Sequence, residues 1–262
     1  MKRLCFTVDV DRDVNECVPG RKEAVSRRTD GGVRFTSSEE GTDIILDMLD
    51  ELGIEATFFT EARTLENIDV QFGKNEVAMH GLDHEDMTGE ISGIRLSDGD
   101  LDEIMGTSSG IIKDHTGRIP KGFRAPYMRT DDRIADAVKR AGMVYDSSLY
   151  AEIGKEFGPY VLDNGLKEVP VPFGTDAGGK KIYAYLWPVH EGKRGTDDHA
   201  RMAGVIENGV LVIATHSWHI TESVSGGLMD GARREKNIAD TKKIITNILD
   251  TGYKAVRIAD LF

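Results

Sequence analysis

Val210-Leu211-Val212-Ile213-Ala214-Thr215-His216 is an unbroken apolar run, rich in β-branched residues, that stops at a threonine and a histidine. Its length suits a strand, and its lack of alternation implies burial on both faces. Such strands lie in sheets covered by helices on either side. The same design recurs outward from it. Residues 4–10 form a second apolar run, closing on Asp9, Asp11 and Asp13. Residues 54–60 and 76–79 are further strands, the latter running into His80. Residues 122–125 end at Pro126, which stops a strand and fixes a turn. Strands at 143–146, 167–171, 181–186 and 254–258 complete the set.

Helical periodicity fills the intervals. Ile45, Met48, Leu49 and Leu52 share one face of a helix over 39–52, with Gly53 just past its end. Further helices are expected at 101–115, despite Gly106 and Gly110, at 131–141, and at 234–250. Regular alternation of helix and strand argues for an α/β fold with a largely parallel sheet, closed or open. No repeat, low-complexity tract or long linker divides the chain, so residues 1–262 are expected to form a single catalytic domain.

Composition narrows the function. With 39% hydrophobic and 30% charged residues, the 262-residue chain can build a sizeable core without staples. A net charge of −12 argues against nucleic acid as a general partner. The two cysteines, Cys5 and Cys17, form no C-x-x-C pair. No apolar window approaches a membrane span. The basic-then-apolar start breaks at Asp9, too early for a secretory signal, so a cytoplasmic location is expected.

The chemistry is concentrated where strands end. Asp9 and Asp11, His80 and His84, Arg124 and His216 all fall at or just past the C-terminal ends of predicted strands. That rim is where parallel α/β folds collect ligands and catalytic groups. Two imidazoles and a carboxylate suit a divalent ion with open coordination positions. Asp9 and Asp11 would repel each other unless a metal or an arginine stood between them. His216, following the strongest strand, is favoured as an acid–base group, and His219 for a supporting or structural role. His115, His190 and His199 are expected at the surface, and Trp187-Pro188 as packing or a groove wall. Gly226, Gly227 and Gly231 suggest a mobile loop beside His216, a candidate lid. Serine-hydrolase, P-loop and dinucleotide-binding motifs are absent from the sequence.

The ordered series TVDVD (7–11), HGLDHE (80–85), RAPY (124–127), DSSL (146–149) and ATHSWH (214–219) resembles the polysaccharide deacetylase family, the NodB-homology carbohydrate esterases. ATFF (56–59) and GYKAVRIADL (252–261) extend the likeness over nearly the whole chain. The resemblance implies a distorted (β/α) barrel of about seven parallel strands. It also implies hydrolysis of the amide of an N-acetylated sugar with one divalent metal, commonly Zn²⁺. By that likeness Asp9 is the general base, and Asp11, His80 and His84 hold the metal. Arg124 positions Asp9, the Tyr127 backbone N–H helps bind the oxyanion, and His216 protonates the leaving amine. Tyr150 and Trp218 are the candidate sugar-contacting aromatics.

Several positions depart from the family pattern. Val10 separates two aspartates that are adjacent in much of the family, a spacing shared by a branch that also carries HG-x-x-HE. Asp13 competes for either aspartate role. Gly81 replaces the usual Ser or Thr, removing a loop hydrogen bond. The Asp–Trp pair of the fourth motif is missing, with Asp146 its nearest equivalent. Two alternatives stay open: a hydrolase of a small cyclic imide, ureide or formamide, and a catalytically inactive metal- or sugar-binding module. Homo-oligomers are compatible with either.

Overall fold

The computed structural model describes residues 1–154 and 158–262. Seven parallel strands form the main sheet in the order Gly209–His216, Lys2–Val10, Thr57–Thr60, Glu76–Met79, Gly122–Phe123, Tyr145–Asp146 and Lys167–Glu168. Lys254–Ala255 also pairs with the first strand, and Tyr160–Val161 adds an antiparallel edge. Neighbours in sequence are neighbours in space until the strand Gly209–His216 returns beside the first. That order makes a distorted barrel of the expected class. On the outer side of Gly209–His216, Tyr185 bridges Ala214 in parallel. Tyr185 thereby ties in a small sheet of Tyr150–Glu152, Val171–Thr175 and Lys181–Tyr183. From Leu4 to Val10 every residue of the first strand is buried, as in a strand covered on both faces.

Helices Thr36–Leu52, Asp98–Thr116, Asp132–Arg140 and Gly231–Leu249 cover the sheet. Gly106 and Gly110 do not break the second of these, because both lie on its solvent face. Leu101, Ile104, Met105 and Ile112 bury the opposite face, and a Ser97–Asp100 capping box closes the start. Gly53 ends the first helix in the left-handed conformation (φ 64°), which costs glycine no Cβ clash. The strand expected at 254–258 is shorter, because a 3₁₀ turn takes over at Ile258–Leu261.

Two expectations are corrected. His190 and His199 are buried, not superficial. They lie on the short helices Trp187–His190 and Asp197–Gly204, and His190 Nε2 meets Thr241 of the last helix at 2.9 Å. The glycine-rich stretch is not a free loop. Glu222–Ser223 and Gly227–Leu228 pair as a hairpin, and Gly231 opens a helix capped by Asp230. The Arg28 guanidinium pins that hairpin by donating to Glu222, Ser223 O and Val224 O at 2.9–3.1 Å.

Candidate active site

The strand ends deliver one constellation. Asp9, His80, His84, Tyr127 and His216 line a cavity of about 200 Å³, with Asn15, Tyr150, Tyr185 and Trp187 also on its wall. Asp9 and His216 are register partners on adjacent strands, so hydrogen bonding between the strands fixes their separation.

Asp11, His80 and His84 are buried and place one potential ligand atom each within 4.8 Å of the others. His80 Nδ1 lies 2.8 Å from the Arg124 carbonyl, which can only accept, so Nδ1 carries the proton and Nε2 keeps its lone pair. Burial pushes both imidazoles down to about 3, holding them in the neutral form that a ligand requires. His84 Nε2 sits 3.2 Å from Asp11 Oδ2, while its Nδ1 is buried without a partner. Burial also pushes the Asp11 carboxyl well above its ordinary range. Among the described residues no lysine or arginine pairs with it. A desolvated carboxylate beside two neutral imidazoles fits a divalent cation.

Asp9 has a different environment. Arg124 Nη1 donates to its Oδ1 at 2.7 Å, and the Tyr185 hydroxyl donates to Oδ2 at 2.9 Å. Burial would raise this carboxyl, but the Arg124 charge and hydrogen bond outweigh it and hold it at about 2. Arg124 is itself buried, over the Phe59 ring at 4.1 Å, and donates to Thr7 and Ser147 as well. Tyr127 and Met128 are consecutive non-glycine residues at φ 60° and 55°. Such strain persists only where the surroundings impose it. It leaves the Tyr127 N–H without a hydrogen-bond partner among the described residues, beside the cavity.

Residues 30–145 match the family model for polysaccharide deacetylase. That match takes in less than half of the chain, and it is a likeness to the family. It is 30% identical over 172 residues to a peptidoglycan deacetylase-like protein of Gibberella zeae, covering 63% of this chain and 48% of that protein. A peptidoglycan deacetylase of Helicobacter pylori is 25% identical over 134 residues, covering 49% and 43% respectively. The matches thus span about half the length of these curated relatives or less. A solved structure from Mycobacterium smegmatis, described among the polysaccharide deacetylases, superposes with a TM-score of 0.66 at 17% identity, covering 99% of this chain and 88% of that one. A CE4 family pseudoenzyme from Bacillus anthracis superposes at 0.55 with 14% identity, covering 99% and 64%. The fold is therefore shared with a protein described as a pseudoenzyme.

Within this fold several sequence-derived placements change. Asp13 is not available to the site: its two oxygens accept the Ser37 and Ser38 N–H groups at 3.0 and 2.7 Å, capping the first long helix. Trp218 is no sugar wall, being 4% exposed with its indole N–H on Asp11 Oδ1 at 2.9 Å. Tyr150 does reach the cavity rim, 40% exposed and 4.6 Å from the Tyr183 ring, with Trp187 nearby on the same wall. Asp146 makes no hydrogen bond to His216. It accepts from Ser147 N at 2.7 Å and from the Ser148 hydroxyl, which in turn accepts from Ala125 N, so the DSSL segment braces the RAPY turn. His216 is flanked by rings instead, Tyr185 at 5.7 Å and Trp218 at 5.2 Å. His219 is buried, its Nε2 2.9 Å from Glu191. The missing hydroxyl at Gly81 (φ 81°) is replaced by Glu85, whose carboxylate accepts from Leu82 N and Asp83 N at 3.1 and 3.0 Å.

Sequence reasoning passed over Tyr185, Asn15 and the buried Arg12–Glu61 ion pair. Glu61 directly follows the strand Thr57–Thr60, so the strand-end rule could have found it. Tyr185 and Asn15 carry no such signal.

Close packing supports the site from below. A Cβ on Gly41 would lie 2.0 Å from the Ser217 carbonyl oxygen. Gly41→Ala is expected to lower stability by about 1–3 kcal/mol, the usual range for overpacking. It should also alter the near-ultraviolet dichroism of Trp218. Unchanged melting and dichroism would show that the helix and the Ser217–Ile220 turn can separate freely.

Proposed function

We propose that the chain is a metal-dependent N-deacetylase acting on an N-acetylated sugar within a glycan. The observation that carries this reading is the pairing, in one cavity, of an arginine-bound Asp9 with the buried Asp11, His80 and His84 trio. The relatives named as peptidoglycan deacetylases and the aromatic rim of Tyr150, Tyr183 and Trp187 support a carbohydrate over a small cyclic amide.

Asp11, His80 and His84 would hold the ion, whose Lewis acidity polarises the acyl carbonyl and makes water nucleophilic near neutral pH. The chain's own groups do the rest. Asp9 has one hydrogen bond on each oxygen, which leaves lone pairs to take the proton of the attacking water. Arg124 keeps that carboxylate ionised and oriented. The unpartnered Tyr127 N–H beside the cavity would serve the tetrahedral oxyanion, an interaction worth about 3–4 kcal/mol per donor. His216 gives a proton to the nitrogen as the C–N bond breaks, releasing acetate and a free amine. Asp9 is retained, which sets the chain apart from an inactive binding module.

Acetate release from N-acetylated glycan oligomers, compared with ammonia or formate release from cyclic imides and formamides, tests the substrate class. Elemental analysis should find one divalent ion per wild-type chain and a large loss in His80→Ala. A His80→Ala protein holding one ion at unchanged affinity would remove the ligand assignment.

A further inference from the structure

The residues after Asp11 are held one by one. Arg12 Nε donates to Glu61 Oε1 at 2.8 Å and its Nη2 to Asp83 at 3.0 Å. Asp13 caps a helix. Val14, buried, sits at φ 41°, a region that β-branched residues rarely enter. That forced turn brings Asn15 back, so that its Nδ2 donates to Asp11 Oδ2 at 2.6 Å. From the far end of the chain the Trp218 indole N–H donates to the other oxygen at 2.9 Å. Trp218 belongs to the 3₁₀ turn Ser217–Ile220, seated against the helix at Gly41.

Beside the His84 imidazole, which lies 3.2 Å from Oδ2, each Asp11 oxygen therefore has one fixed donor from outside the trio, and both of these donors are neutral. A cationic partner would compete with a metal for the carboxylate. An amide and an indole orient it while leaving its charge and a second lone pair on each oxygen. We propose that Asn15 and Trp218 are positioning residues that clamp Asp11 for the divalent ion, with Asn15 also forming cavity wall. The proposal rests on the reading of Asp11, His80 and His84 as metal ligands. Hydrogen-bond partners of ligands typically account for 10–100-fold in metal affinity.

The test titrates the metal-depleted 262-residue chain with Zn²⁺ against a chelator of known affinity, and records the visible spectrum of the Co²⁺ form. Wild type should bind one ion. Asn15→Ala and Trp218→Phe should each weaken Zn²⁺ binding by about 10–100-fold and alter the Co²⁺ spectrum. A purely structural role would lower the melting temperature but leave affinity and spectrum of the folded protein unchanged. Asn15 is only half-buried, so its variant remains informative if Trp218→Phe does not fold. Wild-type affinity and spectrum in folded Asn15→Ala would overturn the clamp while the ligand assignment stood. A wild-type protein that binds no ion would overturn both.

Discussion

Asp9→Asn is expected to lower kcat by about 10²–10⁴-fold, the range for a lost general base, while leaving Zn²⁺ binding intact. An amide fills the same space and can still meet Arg124 and Tyr185, but cannot take a proton from water. The substitution has a second consequence. Arg124 is fully buried and Asp9 is its ion-pair partner, so removing the negative charge strands a guanidinium in the core. Breaking such a pair from one side costs about 3–5 kcal/mol. Melting should be measured first, and kinetics run well below the transition. Asp11→Asn should behave differently, losing metal affinity before anything else. If Asp11→Asn kept the ion and Asp9→Asn lost it, the two aspartate roles would have to be exchanged.

His216→Ala is expected to lower kcat by roughly 10²–10⁴-fold with little change in metal binding. The reason lies in its placement. His216 ends a strand paired along its whole length with the first strand and reaches the cavity, which gives the positional accuracy a proton donor needs. The loss should shrink for an activated anilide, whose leaving group needs less protonation. His219→Ala should cost stability more than turnover, because that ring is buried against Glu191 and is not part of the cavity wall. A crippled His219→Ala beside a near-normal His216→Ala would place the acid on the wrong histidine.

Strand positions and the rim they create were legible because continuous apolar runs and period-3.6 helices are local patterns. The run 76–79 coincides with the strand Glu76–Met79, and His80 follows it directly. What was not legible depends on contacts between distant segments. Asp13 looked equivalent to its neighbours until the N-terminus of helix Thr36–Leu52 arrived to bind it. His190 and His199 sit in polar sequence, and only the packing of two short helices buries them. Trp218 reads as a candidate sugar-contacting aromatic, yet its partner Asp11 lies 207 positions away. Tyr185 reaches Asp9 across 176 positions. No periodicity encodes such pairs.

The loop at His80–Glu85 carries a consequence for how this site can change over generations. A side chain at Gly81 would put its Cβ 2.8 Å from Glu85 Oε2, at a φ that disfavours any L-residue. Restoring the family's usual hydroxyl there while Glu85 remains would crowd the very acceptor that now serves Leu82 and Asp83. Removing Glu85 first would leave those two N–H groups without their acceptor. Each single change is therefore expected to cost stability, and changes at positions 81 and 85 should be non-additive. A hydroxyl residue grafted alone at position 81 should disable the loop rather than improve it.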